Sequence, residues 1–162
     1  MIEKFLSEDY IQLNVDVDDW KEAIRLSAKP LLEKNIIKEQ YIDNMIEGVE
    51  EMGPYIALDQ GIALAHARPD ESVNDIGLSF MTIKNDLELG SDFDPIKLMI
   101  CLSAKDSDSH IDLIMELSTI LSDRDTVNKI LNEDNIDSVI KILRESIGWF
   151  IWRIKWTDFL NL

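Results

Sequence analysis

A three-layer α/β arrangement is what the sequence predicts, and three observations carry it. Residues alternate apolar and polar from Ile11 to Val17, helical spacing recurs toward both ends of the chain, and the middle third breaks into short apolar segments set off by turn residues. A strand-rich centre between helices buries its faces by stacking them in layers.

Each element follows from its own pattern. Ile11, Leu13, Val15 and Val17 alternate with Gln12, Asn14 and Asp16, the period of two of a half-buried strand. Asp18 or Asp19 then caps a helix with Trp20, Ala23, Ile24, Ala28, Leu31 and Leu32 on one face. Pro30 comes late in that helix and is expected to bend or restart it. Tyr41, Ile42, Met45, Ile46 and Val49 predict a second helix over 38–51, stopped by Gly53-Pro54. The apolar segments 55–58, 61–67, 76–82 and 96–102 fit buried strands, and helices return at about 109–122, 125–132 and 136–152. Residues 1–147 read as one domain, and 148–162 as a Trp-rich extension of it. Trp149, Phe150, Trp152, Ile154, Trp156, Phe159 and Leu160 crowd this tail. It either packs on the domain's own surface or offers a patch to a partner, a homodimer included.

Charge narrows the function. Sixteen Lys and Arg against 32 Asp and Glu leave a net −16 on 162 residues. Nucleic acid needs a basic surface, so it is excluded as a partner, and a strongly anionic membrane is disfavoured for the same reason. A basic protein or a small polar ligand suits the surface. The longest apolar run near the middle, Leu98 to Leu102, is far too short to span a bilayer. Met1-Ile2-Glu3-Lys4 is expected to open no signal peptide, and the lone Cys101, set in an apolar segment, fits a reducing cytoplasm and a core position. Glu50-Glu51 and Asp70-Glu71 read as solvated faces.

Only two histidines exist, and both sit where chemistry would want them. His66 ends the segment Gly61-Ile-Ala-Leu-Ala-His66-Ala-Arg-Pro69, whose alanines leave room for another molecule. Arg68, two residues on, faces the same side of an extended chain, and an imidazole beside a guanidinium suits a phosphate-like anion. His110 lies in Asp106-Ser-Asp-Ser-His110-Ile-Asp112, ahead of an apolar helix. Ser109 with Asp112 matches a capping box, with Ser107 and Asp108 as alternative caps, so His110 is expected in the first turn. Free N–H groups there favour an anion, and a neutral imidazole could donate to it. Read singly, each histidine also suits an ordinary structural role. Neither has a third metal ligand at helical spacing, so no metal and no cofactor is expected.

Three segments together resemble a known family: Gly48-Val-Glu-Glu-Met-Gly-Pro-Tyr55, Gly61 to Pro69, and Ser109-His110 opening a helix. They resemble the enzyme IIA components of the bacterial phosphotransferase (PTS) sugar-uptake system, mannitol/fructose type (type 2). Gly53-Pro-Tyr55 and His66-Ala-Arg-Pro69 look most like its L-ascorbate-specific branch. The resemblance, from about residue 5 to 147, implies a three-layer α/β/α fold with a central mixed β-sheet flanked by helices. It implies a phosphocarrier: HPr, charged by enzyme I from phosphoenolpyruvate, would phosphorylate His66 at Nε2. His66 would pass the group to a cysteine of the IIB component, and the IIC permease would couple this to uptake. His110 would steady the phosphoryl group. A IIA-like regulatory domain, whose phosphorylation controls a partner protein, is the alternative that the same residues allow.

Three positions depart from the family. Ala65 stands where proline commonly precedes the active histidine, which loosens the strand end. Asp59-Gln60 replaces an apolar-proline pair. Glu50-Glu51 occupies the place of an arginine on the preceding helix, so that arginine's role does not transfer, and Arg68 becomes the candidate phosphate contact.

Overall fold

The computed structural model describes residues 1–160, apart from the side chains of Phe150 and Phe159. After a 3₁₀ turn (Ile2–Phe5) come β1 (Ile11–Val15), α1 (Trp20–Glu33), α2 (Glu39–Met52), β2 (Ala57–Asp59) and β3 (Ile62–Ala65). Then follow β4 (Gly77–Leu87), β5 (Ile96–Ser103), α3 (Ile111–Ser122), α4 (Arg124–Leu131) and α5 (Ile136–Leu160). The five strands form one sheet in the order β1-β4-β5-β3-β2. It is mixed: β1 and β4 are parallel, as are β3 and β5, whereas β4–β5 and β2–β3 are antiparallel.

Alternation along the inner strands builds the layers. Ala63, Ala65, Met99 and Cys101 point into one core with the apolar faces of α1 and α2. Leu64, Leu98, Ile100 and Leu102 point into a second core with α3, α4, α5 and the 3₁₀ turn. A sheet buried on both faces reads as continuous apolar runs, which is why the middle third carries them. The three-layer α/β/α expectation with a mixed sheet holds. Among the described residues no helix is long and apolar enough to cross a membrane.

Several boundaries differ from the sequence reading, each for a local reason. Asp19, not Asp18, caps α1, its Oδ1 accepting the Glu22 N–H at 2.8 Å. Pro30 does not interrupt α1. Proline leaves the carbonyl four residues back, that of Leu26, without its helical donor. Gln12 Nε2 on β1 supplies the missing hydrogen bond at 2.7 Å. The Gly53-Pro54 turn extends through Tyr55, with the Ala57 N–H closing onto the Pro54 carbonyl, so β2 starts at Ala57. Past residue 82, β4 continues through the polar Lys84-Asn85-Asp86 to Leu87. Gly77 opens β4 where a Cβ would lie 2.7 Å from Ile36 and 2.8 Å from Ser103 Oγ, so only glycine fits. The last helix runs beyond residue 152 to Leu160, and Trp149, Trp152 and Trp156 remain exposed instead of folding onto the domain. Phe150 and Phe159, also placed in that tail, have side chains outside the described set, as do residues 161–162.

Candidate functional site

Because β3 and β5 are paired and parallel, with Ala65 opposite Cys101, their carboxyl ends open on the same edge of the sheet. His66 is the first residue past β3, and the loop 104–110 leaves β5 and ends on His110. The topology therefore brings both histidines to one edge. The ends of neighbouring parallel strands are where open α/β sheets commonly bind ligands.

Two tyrosines that the sequence reading did not single out as site residues hold this edge. Tyr41 projects from α2 and is 1 % exposed. Its hydroxyl donates to the Leu102 carbonyl at 2.6 Å and accepts the Ala67 N–H at 3.1 Å, joining the end of β5 to the residue after His66. Burial pushes the Tyr41 phenol far above its ordinary pKa, so it stays neutral. Tyr55, just past α2, donates to the His66 carbonyl at 2.6 Å and sets its ring edge-on to the imidazole, 5.3 Å between centroids. Burial raises its pKa as well. A Cβ at Gly48 would stand 3.0 Å from the Tyr55 hydroxyl, so this glycine in α2 makes room for the tyrosine. Helical periodicity had assigned Tyr41 to the core face of α2. The signal available was its hydroxyl, since a buried tyrosine O–H must find a partner.

His66 is half-buried, with Nδ1 2.7 Å from the Leu64 carbonyl oxygen. A carbonyl can only accept, so Nδ1 carries the proton in the neutral ring and Nε2 holds the free lone pair. That fixes the tautomer. Arg68 is exposed, and among the described residues it makes no side-chain hydrogen bond or ion pair. Asp70, expected as a solvated carboxylate, is exposed and also organises the exit of this segment. It accepts from the Ser72 hydroxyl, the Ser72 N–H and Asn44 Nδ2. The Ser72 side-chain bond leads in holding its pKa below the usual carboxylate range. Glu50 is likewise exposed and pairs with Lys21 at 2.8 Å.

The capping box expected at Ser109 does not form. Asp106 Oδ1 takes the N–H groups of Asp108 and Ser109 at 2.9 and 2.6 Å, and the chain turns before the helix begins. The Ser109 N–H leads in lowering the Asp106 pKa. His110 is itself the N-cap of α3, one position earlier than expected, with its carbonyl accepting the Ile114 N–H at 3.0 Å. Its Nδ1 is buried without a hydrogen-bond partner. An orphaned imidazole nitrogen beside the free amides of a helix start is a ready donor or acceptor for a bound group.

Cys101 is fully buried, 4.0 Å from Met45 Sδ, and burial pushes its thiol up to about 12. A thiol so hard to ionise packs as a small hydrophobe, as the sequence suggested. Among the described residues no three His, Cys, Asp or Glu side chains cluster as a metal site.

Comparison with known proteins identifies the family. The family model "Phosphoenolpyruvate-dependent sugar phosphotransferase system, EIIA 2" matches residues 4–146. The ascorbate-specific PTS system EIIA component of Escherichia coli K12 is 30 % identical over 122 residues, covering 74 % of this chain and 79 % of its own length. The solution structure of the mannitol-specific cryptic phosphotransferase enzyme IIA of Escherichia coli superposes with a TM-score of 0.80. It is 33 % identical and covers 88 % of this chain and 97 % of that one. The mannitol enzyme IIA of Escherichia coli, solved in complex with phosphorylated enzyme IIB, shares the fold at a TM-score of 0.75 and 22 % identity, covering 86 % and 96 %. This chain belongs to the type 2 EIIA family of the phosphoenolpyruvate-dependent sugar phosphotransferase system, and is a phosphotransferase component of that kind.

Proposed function

We propose that the chain is a phosphocarrier in which His66 Nε2 takes a phosphoryl group from phosphorylated HPr and passes it to a cysteine of a IIB component. The IIC permease then couples that transfer to uptake of a sugar-like substrate. The observation that carries this reading is the 2.7 Å contact between His66 Nδ1 and the Leu64 carbonyl. It points the lone pair of the neutral ring at Nε2, the atom an in-line displacement needs. In that displacement the Nε2 lone pair forms the new N–P bond while the donor's own P–N bond breaks and its electrons return to the donor ring. The ring gains positive charge when phosphorylated, and the Leu64 carbonyl stabilises the Nδ1–H through which much of that charge is felt. Transfer onward forms an S–P bond to the acceptor cysteine as the N–P bond opens. His110, with its free Nδ1 and the first amides of α3, is proposed to steady the phosphoryl oxygens. Arg68, exposed and uncommitted, is the proposed charged contact.

The mannitol relative solved with phosphorylated IIB supports a IIB acceptor. Ascorbate is the proposed substrate. Gly53-Pro54-Tyr55 resembles the ascorbate branch, Tyr55 touches His66 directly, and an ascorbate-specific relative matches at 30 % identity. A cytoplasmic location follows from the proposed donor. The test is intact-mass spectrometry after incubation with enzyme I, HPr and phosphoenolpyruvate. One acid-labile phosphoryl group should appear on wild type and none on His66→Ala. No added mass on wild type, or label retained by His66→Ala, overturns the assignment, and wild-type rates in His110→Ala remove the role given to His110. Acceptance from HPr without delivery to any IIB protein would favour the regulatory reading.

A further inference from the structure

Beyond residue 146, where the family match stops, α5 continues without a break to Leu160. Trp149, Trp152 and Trp156 follow one another at spacings of three and four residues, the seam by which one helix packs along another. Their rings already touch in a row: Trp149 and Trp152 are 6.0 Å apart edge-on, and Trp152 stacks on Trp156 at 5.6 Å. Ile154 turns the other way and lines a groove with Met115 of α3 and Ile76, so α5 has an inner side against the domain and an outer aromatic ridge.

We infer that this ridge docks on the same ridge of a second copy of the chain. Area argues for it first. A tryptophan can bury up to about 250 Å², so exposures of 69, 58 and 51 % leave roughly 450 Å² of aromatic surface on one copy. With Leu160, 66 % exposed, two copies bring together about 1,100 Å², enough for a specific interface, which starts near 1,000 Å². Charge argues for it next. The chain carries −16, yet the stretch 148–160 holds Arg153 and Lys155 against Asp158 alone. Two acidic copies therefore repel each other least along this helix. The ridge is also presented on a helix continuous with the domain, by side chains with only two torsions each, so little freedom is lost on docking. One face meeting its own copy is an isologous contact that closes as a dimer and does not propagate. The inference stands independently of the phosphoryl chemistry.

Sedimentation velocity of the full chain over a wide concentration range tests it. The wild type should approach twice the 18.6 kDa chain mass as concentration rises, with its tryptophan emission shifting to the blue. Trp152→Glu/Trp156→Glu should stay at 18.6 kDa with unchanged far-ultraviolet circular dichroism. If the paired charges disturb α5, Trp149→Ser/Trp156→Ser serves with the same readouts. A wild type that remains a monomer throughout overturns the inference, as does a dimer that survives in a folded ridge variant. A monomer whose emission shifts only on phosphatidylcholine/phosphatidylglycerol vesicles assigns the ridge to a lipid surface instead.

Discussion

Replacing Gln12 by leucine removes the side-chain donor that the Leu26 carbonyl has in place of the N–H that Pro30 lacks. Loss of the hydrogen bond and partial desolvation of the stranded carbonyl should together cost about 1–2 kcal/mol. For a chain of this length that lowers the melting temperature by about 3–6 °C. The decisive comparison is the same substitution made in a Pro30→Ala background. Alanine restores a backbone N–H at position 30, which can close the helical bond to Leu26, so Gln12→Leu should then cost less than about 0.5 kcal/mol. The coupling across the double-mutant cycle should therefore be on the order of 1 kcal/mol. Thermal or urea unfolding of the four proteins measures it, with equal slopes in denaturant as the control. Equal costs of Gln12→Leu in the two backgrounds would refute the idea that Gln12 compensates for the proline.

Further perturbations read other parts of the molecule. Tyr41→Phe strands the buried Leu102 carbonyl and the Ala67 N–H, and should destabilise by about 2–4 kcal/mol in urea unfolding. Gly77→Ala drives a methyl to within 2.7 Å of Ile36 and should cost about 1–3 kcal/mol, visible as a lower denaturation midpoint. Asp94 accepts the N–H groups of Leu89, Gly90 and Ser91, and the Ser91 hydroxyl. Partial burial pushes its pKa up, but these hydrogen bonds outweigh that and hold it below the ordinary value. Its contribution to stability is thus present above its unfolded pKa of about 3.9 and is lost as pH falls through the lower folded value. Asp94→Asn should make stability fall less steeply on acidification below about pH 4, as read from melting temperatures across pH. Arg68→Ala should slow phosphoryl acceptance by about 10-fold in a rapid-quench assay and leave the melting temperature unchanged.

What the sequence disclosed was what local pattern can encode. Unbroken apolar runs such as Leu98 to Leu102 announced strands buried on both faces, and His66 stood out as a polar residue closing a strand of alanines. Tyr41 was read as core because its two hydroxyl partners lie 26 and 61 residues away, beyond the reach of any periodicity. Pro30 looked like a break because its remedy sits on a different element. Asp70 looked like one more solvated carboxylate in a chain of −16, and only folding brings Asn44 to it. The far end of β4 was hidden because Lys84-Asn85-Asp86 carries no alternation to detect. The reach of α5 was understated because the reading ended at about residue 152, where the helical spacing gives way to a nearly continuous aromatic and apolar tail, whereas the helix runs on to Leu160.

The single oxygen of Tyr41 has a mechanical consequence. It is the fastener between the end of β5, from which the chain leaves toward His110, and the segment that follows His66. The segment after His66 cannot swing away from the sheet without releasing an atom that is anchored on β5, so its stiffness is set by the seat of α2 in the core. A surface built in this way changes little in shape when it is touched, and it meets successive visitors with the same geometry.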